Sequence, residues 1–316
     1  MHPILFHIGP VTLYSYGLML ATAFIVASYF LSVELSRRGL DPRIGGQITI
    51  IALIGGVAGS KLFSILENWG DFVRDPIGQT FSPAGLTFYG GFLVAMAWIY
   101  FYLKRKGLRF ALFADMISPL VLLAYGIGRI GCQLAGDGDY GIPSRLPWAM
   151  SYPNGTAKPT YTLLEYFQQN PVQRAAWHYD SLASITVGQD QFGRISRFDQ
   201  IVTVHPAPIY ETLFCVIAFY FIWTNRKKFD AQIGKVFSIV LVVMGVERLL
   251  IEFIRINPLY WGLSMAQWIS LIMIPVGSYM LIFHYPRKEA ALAREASLAN
   301  AVSPPMRASP QKTSIF

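Results

Sequence analysis

Charged residues and cysteines are both scarce in this sequence. Only 14% of its 316 residues are charged, whereas soluble domains contain about 25%, so a water-soluble globular protein is not expected. The two cysteines exclude a disulfide-built scaffold and a cysteine zinc cluster. The first residues lack a basic region and a small-residue cleavage site, so we do not expect a cleavable signal peptide.

A basic stripe of the kind that binds nucleic acid is also missing. The net charge is +8, but the lysines and arginines lie in short loops between apolar runs, which is a signal of membrane topology. We therefore predict no nucleic-acid partner. The five histidines show no metal-ligand spacing, so no metal site is predicted.

Long apolar runs dominate the chain instead. Hydrophobic residues make up 53% of it, and the mean hydropathy is +0.42. A membrane crossing needs about 20 apolar residues. The predicted spans are residues 14–35, 48–66, 86–103, 110–125, 208–224, 236–253 and 263–283. The predicted fold class is an all-α integral membrane protein, a bundle of about seven transmembrane helices.

The loops between these runs predict the orientation. Lysine and arginine are frequent after the first, third and fifth spans, whereas the short loops on the other side hold only Arg74 and Arg255. Because basic loops stay in the cytoplasm, the N-terminus is predicted outside. We predict a membrane domain of residues 1–286, a small extracytoplasmic α/β insertion at 142–204, and a disordered cytoplasmic tail at 287–316.

Arginines at the ends of two predicted spans are the main candidates for function. Arg129 follows the fourth apolar run between glycines, and Arg248, Glu252 and Arg255 have the i, i+4, i+7 spacing of one helix face. Charges at membrane depth are functional candidates. Two arginines in a partly dry cleft suit a phosphate, which takes planar, bidentate donors. The alternative is a structural salt-bridge cluster between the fourth and sixth spans.

Other polar residues near the same face leave two interpretations open. His205 either handles a proton or bonds a loop carbonyl at the interface. Cys132 is either a nucleophile or, as we favour, a small packing residue. Asp137 binds polar substrate groups or makes a turn, and for Asp139 we favour the turn. Tyr16 belongs to an interfacial aromatic belt or to the cleft.

Short motifs along residues 3–284 together resemble the signature of the bacterial prolipoprotein diacylglyceryl transferase family. They are Gly128-Arg-Ile-Gly131, Ala135-Gly-Asp137, Tyr140-Gly141, Ile8-Gly-Pro10, Tyr16-Gly-Leu-Met19, Leu86-Thr-Phe-Tyr-Gly-Gly91, Asp115 with Pro119, His205-Pro-x-x-x-Tyr-Glu211, Arg248-x-x-x-Glu252-Phe-x-Arg255 and Ser264-Met-x-Gln267.

The resemblance implies seven spans in the bacterial cytoplasmic (inner) membrane, chemistry on the outer face and no cofactor. It implies transfer of the diacylglyceryl group of phosphatidylglycerol to the lipobox cysteine of a prolipoprotein signal peptide, with release of glycerol phosphate. Arg129 and Arg248 match the family's essential arginines. The other matching site positions are Tyr16, Gly141, His205, Glu252 and Arg255.

The chain departs from the family pattern at several positions, as a divergent branch would. Tyr89 stands where the family usually has a histidine that is a proposed base, Cys132 replaces an asparagine, and Met244 replaces a tyrosine. The glycine-acidic turn is one residue longer. The base is therefore predicted to be Tyr89 or His205, with Asp137 kept among the substrate-binding candidates.

Two other kinds of function stay open at this stage. A transporter or channel with an arginine-lined path is one, although no internal repeat is found. The other is a diverged homologue that binds lipid or lipoprotein without catalysis, or that moves another lipid group.

Overall fold

A computed structural model describes residues 2–9, 11–81, 87–144, 146–157, 188–189, 195–197 and 203–284. Over these ranges the chain is mainly helical, with three two-stranded antiparallel sheets. The helices are α1 Ser15–Arg37, α2 Arg43–Glu67, α3 Trp69–Arg74, α4 Pro76–Phe81, α5 Phe88–Arg105, α6 Phe110–Ala135, α7 Ala207–Asn225, α8 Lys235–Ile251 and α9 Met265–Tyr279. The strands are β1 Ile4–Ile8, β2 Val11–Tyr14, β3 Gly188–Gln189, β4 Ile195–Arg197, β5 Leu259–Tyr260 and β6 Leu263–Ser264.

Within the described ranges, five helices are long and apolar enough to cross a membrane. They are α1, α2, α6, α7 with the 3-10 turn that follows it, and α9 with its continuation to Phe283. The predicted class, a mainly helical membrane protein, is confirmed to this extent. Helices α5 and α8 correspond to the third and sixth predicted spans but have 18 and 17 residues and are not among those five. Seven crossings therefore stay a prediction.

The surface of the long helices is apolar in the way that lipid contact requires. Ile25 on α1, Val57 on α2, Phe221 on α7 and Ile272 on α9 are 61–70% exposed. Contiguous exposed apolar surface of this kind marks a membrane-facing region rather than one in contact with water.

Helix α6 is the central element of the bundle. Half of its spanning window is buried inside the protein, compared with 17–28% in the other four candidate spans. Its glycines allow close approach of neighbours, because a Cβ at Gly126 would lie 3.0 Å from the Cβ of Cys215 on α7. Similarly, Gly131 faces Tyr16 on α1, whose Cδ2 would lie 3.2 Å from a Cβ there.

The predicted end of the fourth span at residue 125 is wrong. Helix α6 continues to Ala135, so Arg129 lies within the helix and not at a glycine turn. Gly126 and Gly131 serve helix packing, whereas a Cβ at Gly128 would meet nothing within 4 Å. The helix ends only at Gly136, which has a φ of 60° and caps it in the left-handed conformation.

A buried carboxylate on α6 fixes the start of α8. Asp115 is 4% exposed and accepts hydrogen bonds from the backbone N–H groups of Gly234 and Phe237, the latter at 2.8 Å. These N–H groups belong to the first turn of α8, where no intrahelical partner exists. Asp115 therefore caps α8 from a neighbouring helix, because α8 has no side-chain cap of its own.

A group of ion pairs, here called the distal cluster, joins α1 to the turn after α7. Its members are Glu34, Arg37, Arg38, Arg226 and Asp230. Glu34 is buried and accepts hydrogen bonds from Arg37 Nε at 2.9 Å, Arg38 Nε at 2.8 Å and Arg226 Nε at 2.7 Å. Asp230 is 36% exposed and contacts both arginines of α1, with Oδ2 2.6 Å from Arg37 Nη1 and Oδ1 2.9 Å from Arg38 Nη2.

Much of the predicted insertion and all of the predicted tail lie outside the described residues. Of 142–204, the structure describes 142–144, 146–157, the β3–β4 pair and the last two residues. Val204 exchanges backbone hydrogen bonds with Met150 at 2.9 Å and 3.0 Å, which holds the two ends of this segment together. The α/β character of the insertion and the disorder of 287–316 stay predictions.

Candidate active site

Three segments of the chain meet at the C-terminal half of α6. They are the turn from Gly136 to Gly141, the start of α7 and the end of α8. Gly141 donates its N–H to the His205 carbonyl at 2.8 Å and forms a β-bridge with Arg255. A Cβ at Gly141 would lie 2.5 Å from the Ile254 carbonyl oxygen. No side chain fits there, so this predicted site position is a point of close backbone approach.

Glu211 on α7 is the buried centre of the arginine group. Its side chain is fully buried and accepts hydrogen bonds from Arg248 Nη1 at 2.9 Å and Arg255 Nη1 at 3.3 Å. Its other oxygen lies 3.0 Å from Arg129 Nε. A buried carboxylate among three guanidinium groups is retained because each charge is compensated, and removal of one partner is strongly destabilising.

Asp139 closes the group on its open side. One carboxylate oxygen accepts from Arg129 Nη1 and the other from Arg255 Nη2. Burial disfavours the charged form, but Arg255 and Arg129 outweigh it and hold the pKa of Asp139 below its ordinary value. We call Glu211, Arg129, Arg248, Arg255 and Asp139 the site cluster.

Tyr125 fixes the guanidinium of Arg129 one turn away on α6. Its hydroxyl accepts a hydrogen bond from Arg129 Nη2 at 3.0 Å and donates one to Glu211 at 2.9 Å. The guanidinium carbon also lies 4.8 Å from the centre of the Tyr125 ring, within cation–π range. Tyr125 therefore holds Arg129 by a hydrogen bond and by its ring.

Arg248 and Glu252 are neighbours at the end of α8, as their spacing predicts. Arg248 Nη2 lies 3.2 Å from Glu252, whose second oxygen accepts from Asn257 Nδ2. The expected continuous helical face is wrong for Arg255, because α8 ends at Ile251. The backbone bridge to Gly141 brings Arg255 into the cluster instead.

Cys132, Asp137 and Asp139 bring a thiol and two carboxylates within 4.8 Å of one another. Burial, followed by the charge of Asp139, raises the pKa of Asp137. The thiol of Cys132 is buried, with Sγ 3.8 Å from Arg129 Nη1. A cation there would compete with two arginines for Asp139, so these residues suit hydrogen bonding better than metal binding.

His205 lies behind Gly141 and forms no described contact with the three arginines. Its Nδ1 is 3.2 Å from the Tyr210 hydroxyl, which accepts a hydrogen bond from Trp148 Nε1 at 2.7 Å. This contact occupies Nδ1 in either tautomer of a neutral histidine, because the Tyr210 hydroxyl donates to an unprotonated Nδ1 and accepts from a protonated one. Burial lowers the pKa of His205 below 6.5.

Two predicted tyrosines differ in what the structure describes. Tyr16 on α1 packs against Gly131, two residues from Arg129 along α6, and is 44% exposed. The charges of Asp137, Arg129 and Asp139 act on its hydroxyl, which places it beside the cluster. Tyr89 belongs to the first turn of α5, but its side chain lies outside the described residues.

Hydrogen-bonding capacity is left unused around the site cluster. Among the described residues, seven buried side-chain polar atoms lack a hydrogen-bond partner, and five belong to Arg129, Glu247, Glu252 and Arg255. Arg129 Nε and one oxygen of Glu252 lie close to opposite charges but are misaligned for hydrogen bonds. Unsatisfied buried groups are rare in native proteins and concentrate at functional sites.

Comparison with known proteins gives one consistent result. The family model described as prolipoprotein diacylglyceryl transferase matches residues 3–283. Similar proteins named phosphatidylglycerol–prolipoprotein diacylglyceryl transferase include one from Clostridium tetani, 28% identical, with 92% of this chain and 100% of the relative aligned. Another, from Paraburkholderia phymatum, is 29% identical over 94% of this chain and 97% of its own length. A third, from Corynebacterium diphtheriae, is 27% identical over 85% of this chain and 88% of its own length.

Proposed function

The chain belongs to the prolipoprotein diacylglyceryl transferase family, and we propose on this basis how its site cluster performs the transfer. The reaction moves the diacylglyceryl group of phosphatidylglycerol to the lipobox cysteine thiol of a prolipoprotein, the first step of bacterial lipoprotein maturation. The enzyme is thus a membrane transferase, and its partners are that lipid and prolipoprotein signal peptides.

The observation that three arginines converge on Glu211 supports the assignment of this reaction to particular residues. Arg129, Arg248 and Arg255 are 12%, 24% and 6% exposed, so they act in a poorly hydrated place. Electrostatic attraction is stronger there than in water. Planar guanidinium groups match the oxygens of a phosphate ester. We assign Arg129, Arg248 and Arg255 to the phosphate, with Glu252 holding the geometry of Arg248.

The chemistry is a displacement at carbon. The cysteine thiolate, which is the reactive form, attacks the glycerol carbon that carries the phosphate ester. A carbon–sulfur bond forms, the carbon–oxygen bond breaks, and glycerol phosphate leaves with the bonding electron pair. Arg129 and Arg248 compensate the charge that grows on the leaving phosphate, and each such donor contributes roughly 2.7–4 kcal/mol to the transition state.

The thiol proton needs an acceptor, and Tyr89 is our first candidate. A free tyrosine has a pKa near 10, so Tyr89 would need the positive charge of the arginines to lower its pKa. His205 is the second candidate, weakened by the hydrogen bond at its Nδ1. Tyr16, Asp137 and Gly141 line the same region and are assigned to substrate binding.

In the membrane, we propose seven crossings, with α5 and α8 completing the five strong candidates. The N-terminus and segment 142–204 lie outside, and the tail 287–316 lies in the cytoplasm. This places the site cluster at the outer face of the bacterial inner membrane. Cysteines introduced near Asn154 and near Lys227 should label from opposite sides, and labelling from one side would overturn this topology.

The decisive test of function is transfer itself. Purified protein in detergent or vesicles should move labelled diacylglycerol from phosphatidylglycerol to a lipobox peptide, and should not do so when the peptide cysteine is serine. Binding of either substrate without transfer would favour a non-catalytic homologue. Movement of a solute without transfer would favour a transporter.

A further inference from the structure

Asp139 occupies an unusual position within the site cluster. It is the most exposed of the carboxylates that contact the arginines, at 30%, compared with 0% for Glu211 and 1% for Glu252. Its two oxygens engage guanidinium groups from two different segments, Arg129 on α6 and Arg255 after α8. One small planar anion therefore spans the gap between two arginines on the accessible side of the cluster.

A phosphate ester would use the same donors. Carboxylate and phosphate both present paired oxygens to guanidinium groups, and both form short charge-assisted hydrogen bonds with them. Arg129 Nη1 and Arg255 Nη2 are aimed at Asp139. Both arginines also contact the buried Glu211, and Arg129 additionally contacts Tyr125 and Cys132. Asp139 therefore marks the position that an incoming phosphate must take.

The balance of charges in contact leads to the same conclusion. Counted over the ion pairs alone, Arg129, Arg248 and Arg255 are balanced by Glu211, Glu252 and Asp139, so these six paired residues carry no net formal charge. A phosphodiester added to that group would leave an uncompensated negative charge in a mostly buried place, which is costly. If Asp139 withdraws, one positive charge is left, and a singly charged phosphodiester restores neutrality.

The backbone around Asp139 is built for a change of position. Gly136 and Gly138 have φ values of 60° and 100°, a region that glycine adopts without strain. The Asp139 N–H is held only by a 3.3 Å hydrogen bond to Asp137. Gly136 itself is fixed, because its N–H donates to the Cys132 carbonyl and its carbonyl accepts from Ala157 N–H, each at 2.8 Å. Movement of the Asp139 carboxylate therefore needs rotation only at Gly138 and about the aspartate side chain, and α6 with its cap at Gly136 stays in place.

We propose that Asp139 is a specificity-determining residue that substitutes for phosphate in the empty site. It withdraws when the phosphodiester of the lipid enters, and it returns after transfer to displace glycerol phosphate. Its return matters because the released phosphate monoester carries about −1.5 to −2 charges at pH 7 and would otherwise bind the arginines more tightly than the substrate does. The inference rests on the proposed function of the cluster.

Binding of inorganic phosphate to the purified full chain tests the competition directly. Asp139→Asn should bind phosphate about tenfold more tightly than the wild type, equivalent to ~1.4 kcal/mol, measured by calorimetry. Asp230→Asn is the matched control, because Asp230 also spans two arginines, in the distal cluster. Its phosphate affinity should equal that of the wild type. An unchanged or weaker affinity in Asp139→Asn, or an equal gain in Asp230→Asn, would overturn the proposal.

Transfer kinetics provide the second arm. Asp139→Asn should lower KM for phosphatidylglycerol and strengthen product inhibition by glycerol phosphate, and Asp139→Ser should do the same if the asparagine variant folds poorly. A raised KM with weaker product inhibition would make Asp139 a structural support only. If the wild type does not transfer lipid, the proposed function fails; if it does and neither Asp139 variant gains affinity, only this inference fails.

Discussion

The site cluster and the distal cluster have the same composition and the same plan. Each places one buried glutamate among three arginines and holds a partly exposed aspartate across two of them. Residue types and burial therefore do not distinguish the cluster that we propose for function from the one that we interpret as structural.

Hydrogen-bond alignment does separate them. Among the described residues, the distal cluster has no buried side-chain polar atom without a partner, whereas Arg129, Glu252 and Arg255 each have one. The distal arginines Arg37 and Arg38 are adjacent on one helix, so local geometry satisfies them. The site arginines come from α6 and from the end of α8, and Arg129 and Arg255 each have one N–H donor without a hydrogen-bond partner. Unused donors cost stability, which is consistent with a site that completes its bonds only with substrate.

The largest expected effect comes from replacing arginines in each of the two clusters and comparing turnover. Arg129→Ala and Arg248→Ala should each lower turnover about 100- to 1,000-fold, and the lysine variants by at least about tenfold, since lysine lacks the planar fork. Arg37→Ala and Arg38→Ala should leave turnover per folded molecule unchanged. Because Arg129 and Arg248 act on one phosphate, the double variant should lose less than the sum in free energy.

Equal losses of turnover and of folded protein in the Arg129 and Arg248 variants would instead make the site cluster structural. Folded protein is measured by size-exclusion yield and thermal unfolding in the same detergent. Full activity in the lysine variants would exclude the proposed phosphate contacts.

The second test neutralises the two buried glutamates. Glu211→Gln and Glu34→Gln should each destabilise the protein by about 3–5 kcal/mol, because arginines are left with an uncompensated charge. Only Glu211→Gln should also lower turnover, by up to about 100-fold, since small misplacements of catalytic groups cost that much. If Glu34→Gln lowers turnover of folded protein as far, the distinction between the clusters is wrong.

The proposed reaction requires a proton transfer at the site cluster, whereas we propose no reaction at the distal cluster. Tyr89→Phe should lower turnover about tenfold or more, with a loss that eases as pH rises and free thiolate accumulates. His205→Gln should be milder, because Nδ1 is already engaged by Tyr210. A pH–rate profile of both variants checks this, and near-normal rates in both would exclude both residues as the base.

The smallest expected effect is on stability as a function of pH. The folded-state pKa of His205 lies below 6.5 because of burial, so the unfolded chain takes up the proton first and stability falls as pH drops below about 6.5. The Arg37 hydrogen bond lowers the pKa of Asp230 below 3.8, so its contribution is constant across that range. Between pH 8 and 5.5 the unfolding temperature of the wild type should therefore fall as pH drops. This fall should be smaller in His205→Gln and unchanged in Asp230→Asn.

The sequence predicts which residues lie together at the candidate site better than it predicts their contacts. The lengths of the apolar runs indicate the long helices. The charges of the loops predict that Arg129 and Arg248 lie at the same end of the bundle, and the i, i+4 spacing predicts that Glu252 is next to Arg248. The central role of Glu211 was missed, although it ends a motif that carries the family resemblance. Its contacts depend on the rotation of α7 against α6 and α8, which the periodicity of one helix does not determine.

The turn residues were also misjudged, for a related reason. Glycine permits both a turn and close helix packing, and the sequence alone does not show that Gly131 faces Tyr16 while Gly136 ends the helix. Asp139 was interpreted as a turn residue because Asp–Gly segments usually are. Its contacts with two arginines arise only when α6 and the end of α8 are side by side.

The cap that Asp115 provides for α8 has a consequence at the opposite end of the bundle. Arg129 follows Asp115 by fourteen residues on α6, and Arg248 follows Gly234 by fourteen on α8. Asp115 and Gly234 are joined by a hydrogen bond. At 1.5 Å per residue, each arginine therefore lies roughly 21 Å along its helix from that bond. Asp115 thus sets the axial register of the two helices and brings both arginines to the same depth. A slip of one residue would offset them by about 1.5 Å, so we expect a folded Asp115→Asn protein to show a defect in transfer assays despite its distance from the site.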